Sequence, residues 1–167
     1  RRIDIKMRHF KKTIFLLLVQ FIFLPLSAKS LDWEKIEVNA HLTKEGILEV
    51  EEIQAIRFDG DWNGGYRDYK VSHGQTLTLQ GIERKSDSME WVSLKEGNLD
   101  LLDHYAYYKE DKHLRWRSRQ ITDPPFENRI IEYRIRVRYE GILSRNWNGE
   151  FALNHDFAFS ERDGGIK

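Results

Sequence analysis

Cysteine is absent from all 167 residues, and with it go disulfides, thiolate catalysis, zinc–thiolate sites and iron–sulfur clusters. Proline appears only three times and glycine eleven, which excludes collagen-like and proline-rich architectures. No Gly-x-Ser-x-Gly elbow, phosphate loop or dinucleotide fingerprint occurs, and His-Glu-x-x-His spacing is missing as well. An excess of either charge is missing too, because Lys+Arg and Asp+Glu both total 27. What is abundant is aromatic surface: five Trp, seven Tyr and nine Phe argue for a packed core.

The neutrality averages two unlike parts. Residues 1–28 carry six of the 27 basic residues and a single acid, Asp4. That leaves 21 basic against 26 acidic residues in 29–167, a net of −5. A mildly acidic body offers no basic stripe to a phosphate backbone, so no nucleic-acid partner is expected. From Met7, a cationic patch (Arg8, Lys11, Lys12) precedes an apolar run from Thr13 to Leu26, and small residues follow at Ser27, Ala28 and Ser30. This is the layout of a secretory signal peptide, expected to form a helix and to be cleaved near Ala28 or Ser30. The run falls short of the roughly 20 residues that span a bilayer, although an uncleaved anchor is the rival reading. Asp4 and the non-Met start place residues 1–6 upstream of the true start, or in a fragment. Export is therefore expected, to the periplasm or the outer face of the cytoplasmic membrane. An exported domain without disulfides fits a bacterial envelope better than an animal extracellular module.

In the body the dominant period is two. In Ile131-Glu132-Tyr133-Arg134-Ile135-Arg136-Val137-Arg138-Tyr139 every odd position is apolar and every even one charged, the pattern of a half-buried antiparallel strand. Residues 36–58 read as a long hairpin around Thr43-Lys44-Glu45-Gly46, with a β-bulge expected where Glu51-Glu52 breaks the alternation. Further strands are expected at 77–82, 90–94, 104–108, 113–117 and 151–159. Residues 99–103 could form one helical turn. The fold class is thus all-β, an immunoglobulin-like antiparallel β-sandwich over 29–167 with a closed barrel as the alternative. Arg162-Asp163-Gly164-Gly165 reads as a turn without its returning strand, so at least one more strand is expected downstream.

The most unusual segment is Phe58-Asp59-Gly60-Asp61-Trp62-Asn63-Gly64-Gly65-Tyr66-Arg67-Asp68-Tyr69, read as a loop between strands. As a recognition loop, Trp62 and Tyr66 would stack on a sugar ring or peptide, and Asp61, Arg67 and Asp68 would direct hydrogen bonds. Trp62, Tyr66, Arg67 and Asp68 are the candidate ligand-binding residues. A calcium site built from Asp59, Asp61, Asn63 and Asp68 is a second option, though EF-hand spacing is not met. The plainer reading is a glycine-shaped turn whose rings fold back on the core while Arg67 pairs with a neighbouring Asp. The scattered histidines suggest no zinc site, and no cofactor or catalytic residue is expected. Arg115, Arg117 and Arg119, with Arg134, Arg136 and Arg138, could form a patch for anionic lipids or glycans. The alternative is a solvated face balanced across strands by acids.

The hairpin segment Gly46-Ile47-Leu48-Glu49-Val50-Glu51-Glu52, followed by Phe58-Asp59-Gly60 and Gly64-Gly65-Tyr66-Arg67-Asp68, resembles the YciQ-like predicted membrane proteins over roughly residues 30–143. That resemblance implies a signal peptide, a β-rich extracytoplasmic domain and downstream transmembrane helices, and it brings no catalytic residues. The expected function is a non-catalytic extracytoplasmic domain with an interaction or sensing role, joined to the membrane through a segment beyond this sequence. A glycan-binding module using the Trp62–Asp68 loop is the alternative, with a carbohydrate-active enzyme behind it. A protein or a glycan is the expected ligand.

Overall fold

The long hairpin expected over 36–58 forms the spine of the molecule. The computed structural model describes residues 29–86, 90–157 and 165–166, so the leader and its expected helix lie outside the described residues. Strands β1 (Ser30–Leu42) and β2 (Leu48–Gly60) pair over most of their length, turning at Gly46 with φ +80°. They are followed by β3 (Gly64–Asp68), β4 (Thr76–Lys85), β5 (Val92–Ser93), β6 (Lys95–Glu96), β7 (His104–Tyr108) and β8 (His113–Arg117). The chain continues through β9 (Phe126–Glu140), β10 (Leu143–Arg145), β11 (Phe151–Leu153) and β12 (Gly165–Ile166). No helix occurs among the described residues; 99–103 is a plain turn. None is therefore long and apolar enough to cross a membrane.

Two sheets share one core. The larger runs β12-β1-β2-β9-β4-β5 and the smaller β3-β8-β7-β6, with β10–β11 as a separate hairpin. Pairing is antiparallel except at two short places, β1 with β12 and β6 with β7. The chain crosses between these two sheets four times: after Gly60, between β3 and β4, at buried Leu94 between β5 and β6, and between β8 and β9. In β9 the odd positions from Ile131 to Tyr139 are all buried, as their alternation requires. They meet the small sheet through Trp116, whose ring lies 5.1 Å from that of Tyr133. Phe58 fills the same layer, 5.5 Å from Phe126 and edge-on to Tyr133.

The expected bulge at Glu51-Glu52 is not there. Register shifts fall instead between Trp33 and Lys35, between Phe58 and Gly60, and between Leu79 and Gly81. Strand β2 keeps its alternation, and Leu48, Val50, Glu52, Gln54, Ile56 and Phe58 all face inward. Glu52 and Gln54 are polar residues on the core face, not markers of a kink. The reason is Arg67, which enters the same core from β3.

The arginines divide between opposite outer faces. On the large sheet Arg136 joins Glu51 and Glu83 across three strands at 3.0 and 2.9 Å, and Arg134 joins Glu83 at 2.7 Å. Lys85 meets its cross-strand neighbour Glu132 at 3.1 Å. This face is a balanced charge ladder. Arg115 and Arg117 lie on the small sheet, so no single cationic patch forms. Arg119 does not share their face; it is buried.

Candidate functional site

Residues 58–69 are not one loop. Strand β2 continues to Gly60, Gly64–Asp68 is a strand paired with β8, and only 61–63 and Tyr69 lie outside the strands. Two glycines permit that pairing: a Cβ on Gly64 would lie 1.9 Å from the Trp116 carbonyl oxygen, and one on Gly65 would lie 2.5 Å from the Trp116 ring. Alternation along β3 then sends Tyr66 and Asp68 outward and Arg67 inward. The four sequence-selected residues thus go to three places.

Trp62 closes one end of the sandwich. Its indole N–H donates to the Ser30 carbonyl at 2.7 Å and to that of Asp59 at 3.1 Å. Lys29 Nζ sits 3.9 Å from the ring centre, over its face. Arg119 holds the segment in place by donating to the Trp62 carbonyl at 2.8 Å, to Asn63 Oδ1 at 2.8 Å and to Asp61. The acids considered for calcium face separate partners: Asp59 accepts from the Asn128 amide, Asp61 from Arg119, and Asp68 meets His113. Among the described residues no three His, Asp or Glu side chains converge as metal ligands.

Tyr66 lies on the outer face of the small sheet. Its ring stacks on His113, with centres 5.9 Å apart and planes 28° apart, and Tyr108 stands 5.9 Å from the other side of His113. These rings occupy adjacent strands β3, β8 and β7, so the hydrogen-bonded ladder itself sets their spacing. His113 Nδ1 lies 2.5 Å from Asp68 Oδ1, which fixes the imidazole edge-on to the carboxylate. Tyr66 and Tyr108 stay 46% and 45% exposed, offering ring area to solvent.

Arg67 bridges the two sheets. Its Nη2 donates to Glu52 Oε1 at 2.9 Å and its Nε to Oε2 at 3.1 Å, a two-pronged pair with both residues buried. Gln54 Nε2 adds a bond to Oε2 at 2.9 Å. Burial opposes the Arg67 charge, yet the bond and charge of Glu52 outweigh it and raise the guanidinium pKa. Around this pair burial pushes the hydroxyls of Tyr69, Tyr139 and Tyr107 up, and the Glu52 charge adds to the first two. Desolvation and then Arg67 lower the pKa of His155.

A cavity of about 180 Å³ opens beside the pair, lined by Arg67–Lys70, Ser72, Gln75, Tyr139 and Asn154–Asp156. His155 packs edge-on between Tyr139 and Phe157 at 4.7 Å from each. Asp68 belongs both to this lining and to the His113 contact.

Sequence reasoning reached Tyr66, Arg67 and Asp68 but missed Glu52, Tyr108, Tyr139 and His155. Glu52 was available from the inward register of Leu48, Val50, Ile56 and Phe58, which places positions 52 and 54 inside. The others required knowing which strands become neighbours. No protein family, curated protein or solved structure matches this chain in comparison.

Proposed function

We propose that this chain is a non-catalytic recognition domain, folded as an immunoglobulin-like sandwich, exported by its 1–28 leader and held at the bacterial envelope by a membrane-anchored protein. The domain binds a glycan on the outer face of its smaller sheet. One observation carries the reading: Tyr66, His113 and Tyr108 form a row of rings across three strands, with exposed tyrosines at both ends, His113 partly covered between them and Asp68 hydrogen-bonded beside it. Ring faces bury the apolar side of a sugar while a neighbouring carboxylate takes its hydroxyls. A rigid strand scaffold holds that row without the entropy cost of ordering a loop. Trp62, whose N–H and ring are already engaged, has a structural role in this reading.

Export is supported by the cationic and apolar leader, and anchoring by the resemblance of residues 30–143 to YciQ-like membrane proteins. The test is a glycan array probed with wild type, Tyr66→Ala and Tyr108→Ala. Each substitution should weaken the bound glycans roughly threefold to tenfold, the value of one stacked ring. Unchanged binding in both variants refutes the reading. Recovery of the native protein from the cytosol with residues 1–28 attached refutes the envelope assignment.

A further inference from the structure

We infer that the glycan is held by its end, with one terminal sugar unit seated in the cavity beside the Glu52–Arg67 pair and the following units on the ring row. The inference rests on the glycan reading above and adds the part of the ligand that is recognised. Its basis is continuity: Asp68, at the end of an edge strand, lines the cavity as a residue and sends its carboxylate to His113 of the row, so the two surfaces adjoin at that position.

The cavity has the chemistry of a sugar subsite. Tyr69, Tyr139 and His155 provide ring walls, and Gln75 and Asn154 provide amide groups able to bond hydroxyls. The Tyr69 hydroxyl is buried behind the wall and has no hydrogen-bond partner among the described residues. A cavity of about 150 Å³ can hold a six-membered ring such as benzene, so about 180 Å³ has room for one sugar ring. Part of its wall is Arg67, which is pinned to buried Glu52. With room for one ring, the cavity takes a single unit at the end of a chain.

The experiment uses the array glycans bound by the wild type, each compared with the same glycan extended by one sugar at its end and with the free monosaccharide of its terminal unit. Asn154→Trp and Ser72→Trp, both at exposed cavity positions outside the strands, fill the space without entering the core. The expected result is at least tenfold weaker binding of the extended glycan, competition by the free monosaccharide, and at least tenfold loss in both filled variants. Loss in Tyr66→Ala and Tyr108→Ala with full binding in the filled variants overturns end recognition and leaves the ring row standing. The reverse pattern upholds the cavity and removes the row. Equal binding of capped and uncapped glycans, or no glycan bound at all, overturns the inference.

Discussion

Removing Glu52 tests the interior most directly. Glu52→Ala would leave the Arg67 guanidinium, itself 8% exposed, charged and without its carboxylate between two sheets. Breaking one side of a buried ion pair costs about 3–5 kcal/mol. That is a large share of the about 5–15 kcal/mol that holds a domain of this size together, and it should lower Tm by roughly 10 °C or more. Removing the charges together has a different outcome. In the triple variant Glu52→Leu, Gln54→Leu and Arg67→Met, no charge has to be desolvated and Gln54 Nε2 is not stranded. It should fold as stably as wild type, or about 1–4 kcal/mol more so. Urea unfolding followed by tryptophan fluorescence gives both numbers from the midpoint and slope. A loss below about 1 kcal/mol in Glu52→Ala, or a triple variant weaker than Glu52→Ala, would refute the account of Glu52 as the partner that makes Arg67 tolerable inside.

Glycine substitutions should split sharply. Gly64→Ala drives a Cβ into the Trp116 carbonyl and should cost about 3 kcal/mol or more, whereas Gly81→Ala meets nothing within 4 Å and should be neutral or stabilise by about 0.4–1 kcal/mol, both read by thermal unfolding. His155, with its pKa lowered by burial, takes its proton more readily unfolded than folded. Its contribution is thus full above about pH 6.5 and lost as pH falls through its lower folded value; His155→Phe should remove that part of the slope in urea titrations between pH 7 and 5. Burial pushes Tyr133 up to about 12, so stability should fall as pH rises from about 10 towards 12, with the native phenol silent at 295 nm below that range. Ser118→Ala, which leaves the buried Tyr133 hydroxyl without its 2.7 Å partner, should cost about 1–3 kcal/mol.

Period-two alternation made β9 and the β1–β2 hairpin readable directly, because one buried face forces one apolar residue in every pair. It also placed β7 and β8 with their observed bounds, since both lie between strong turn signals. The alternation misled at Glu51-Glu52, where a polar residue on the inner face has the same one-dimensional pattern as a register break. Only a partner from another strand distinguishes the two, and Arg67 lies fifteen residues away. The strand Gly64–Asp68 was hidden for a related reason: its glycines read as turn residues, while their actual cause is the nearness of Trp116. Tyr108, Tyr139 and His155 join the site through sheet order, a non-local property that local pattern does not encode.

The ladder of charges on the outer face of the large sheet has a consequence for how the strands find one another. Burial alone tolerates a slip of two residues between β4 and β9, since side chains would return to the same side. In the native pairing Glu83 faces Arg134 and Lys85 faces Glu132. Sliding β4 one way would set Lys85 opposite Arg134, and sliding it the other way would set Glu83 opposite Glu132. The second slip meets only like charges, and the first trades two opposite pairs for one, since Glu83 then faces Arg136 while Lys85 faces Arg134. Solvent-facing residues that add little to the final stability thus favour the native zipper while the sheet is still assembling.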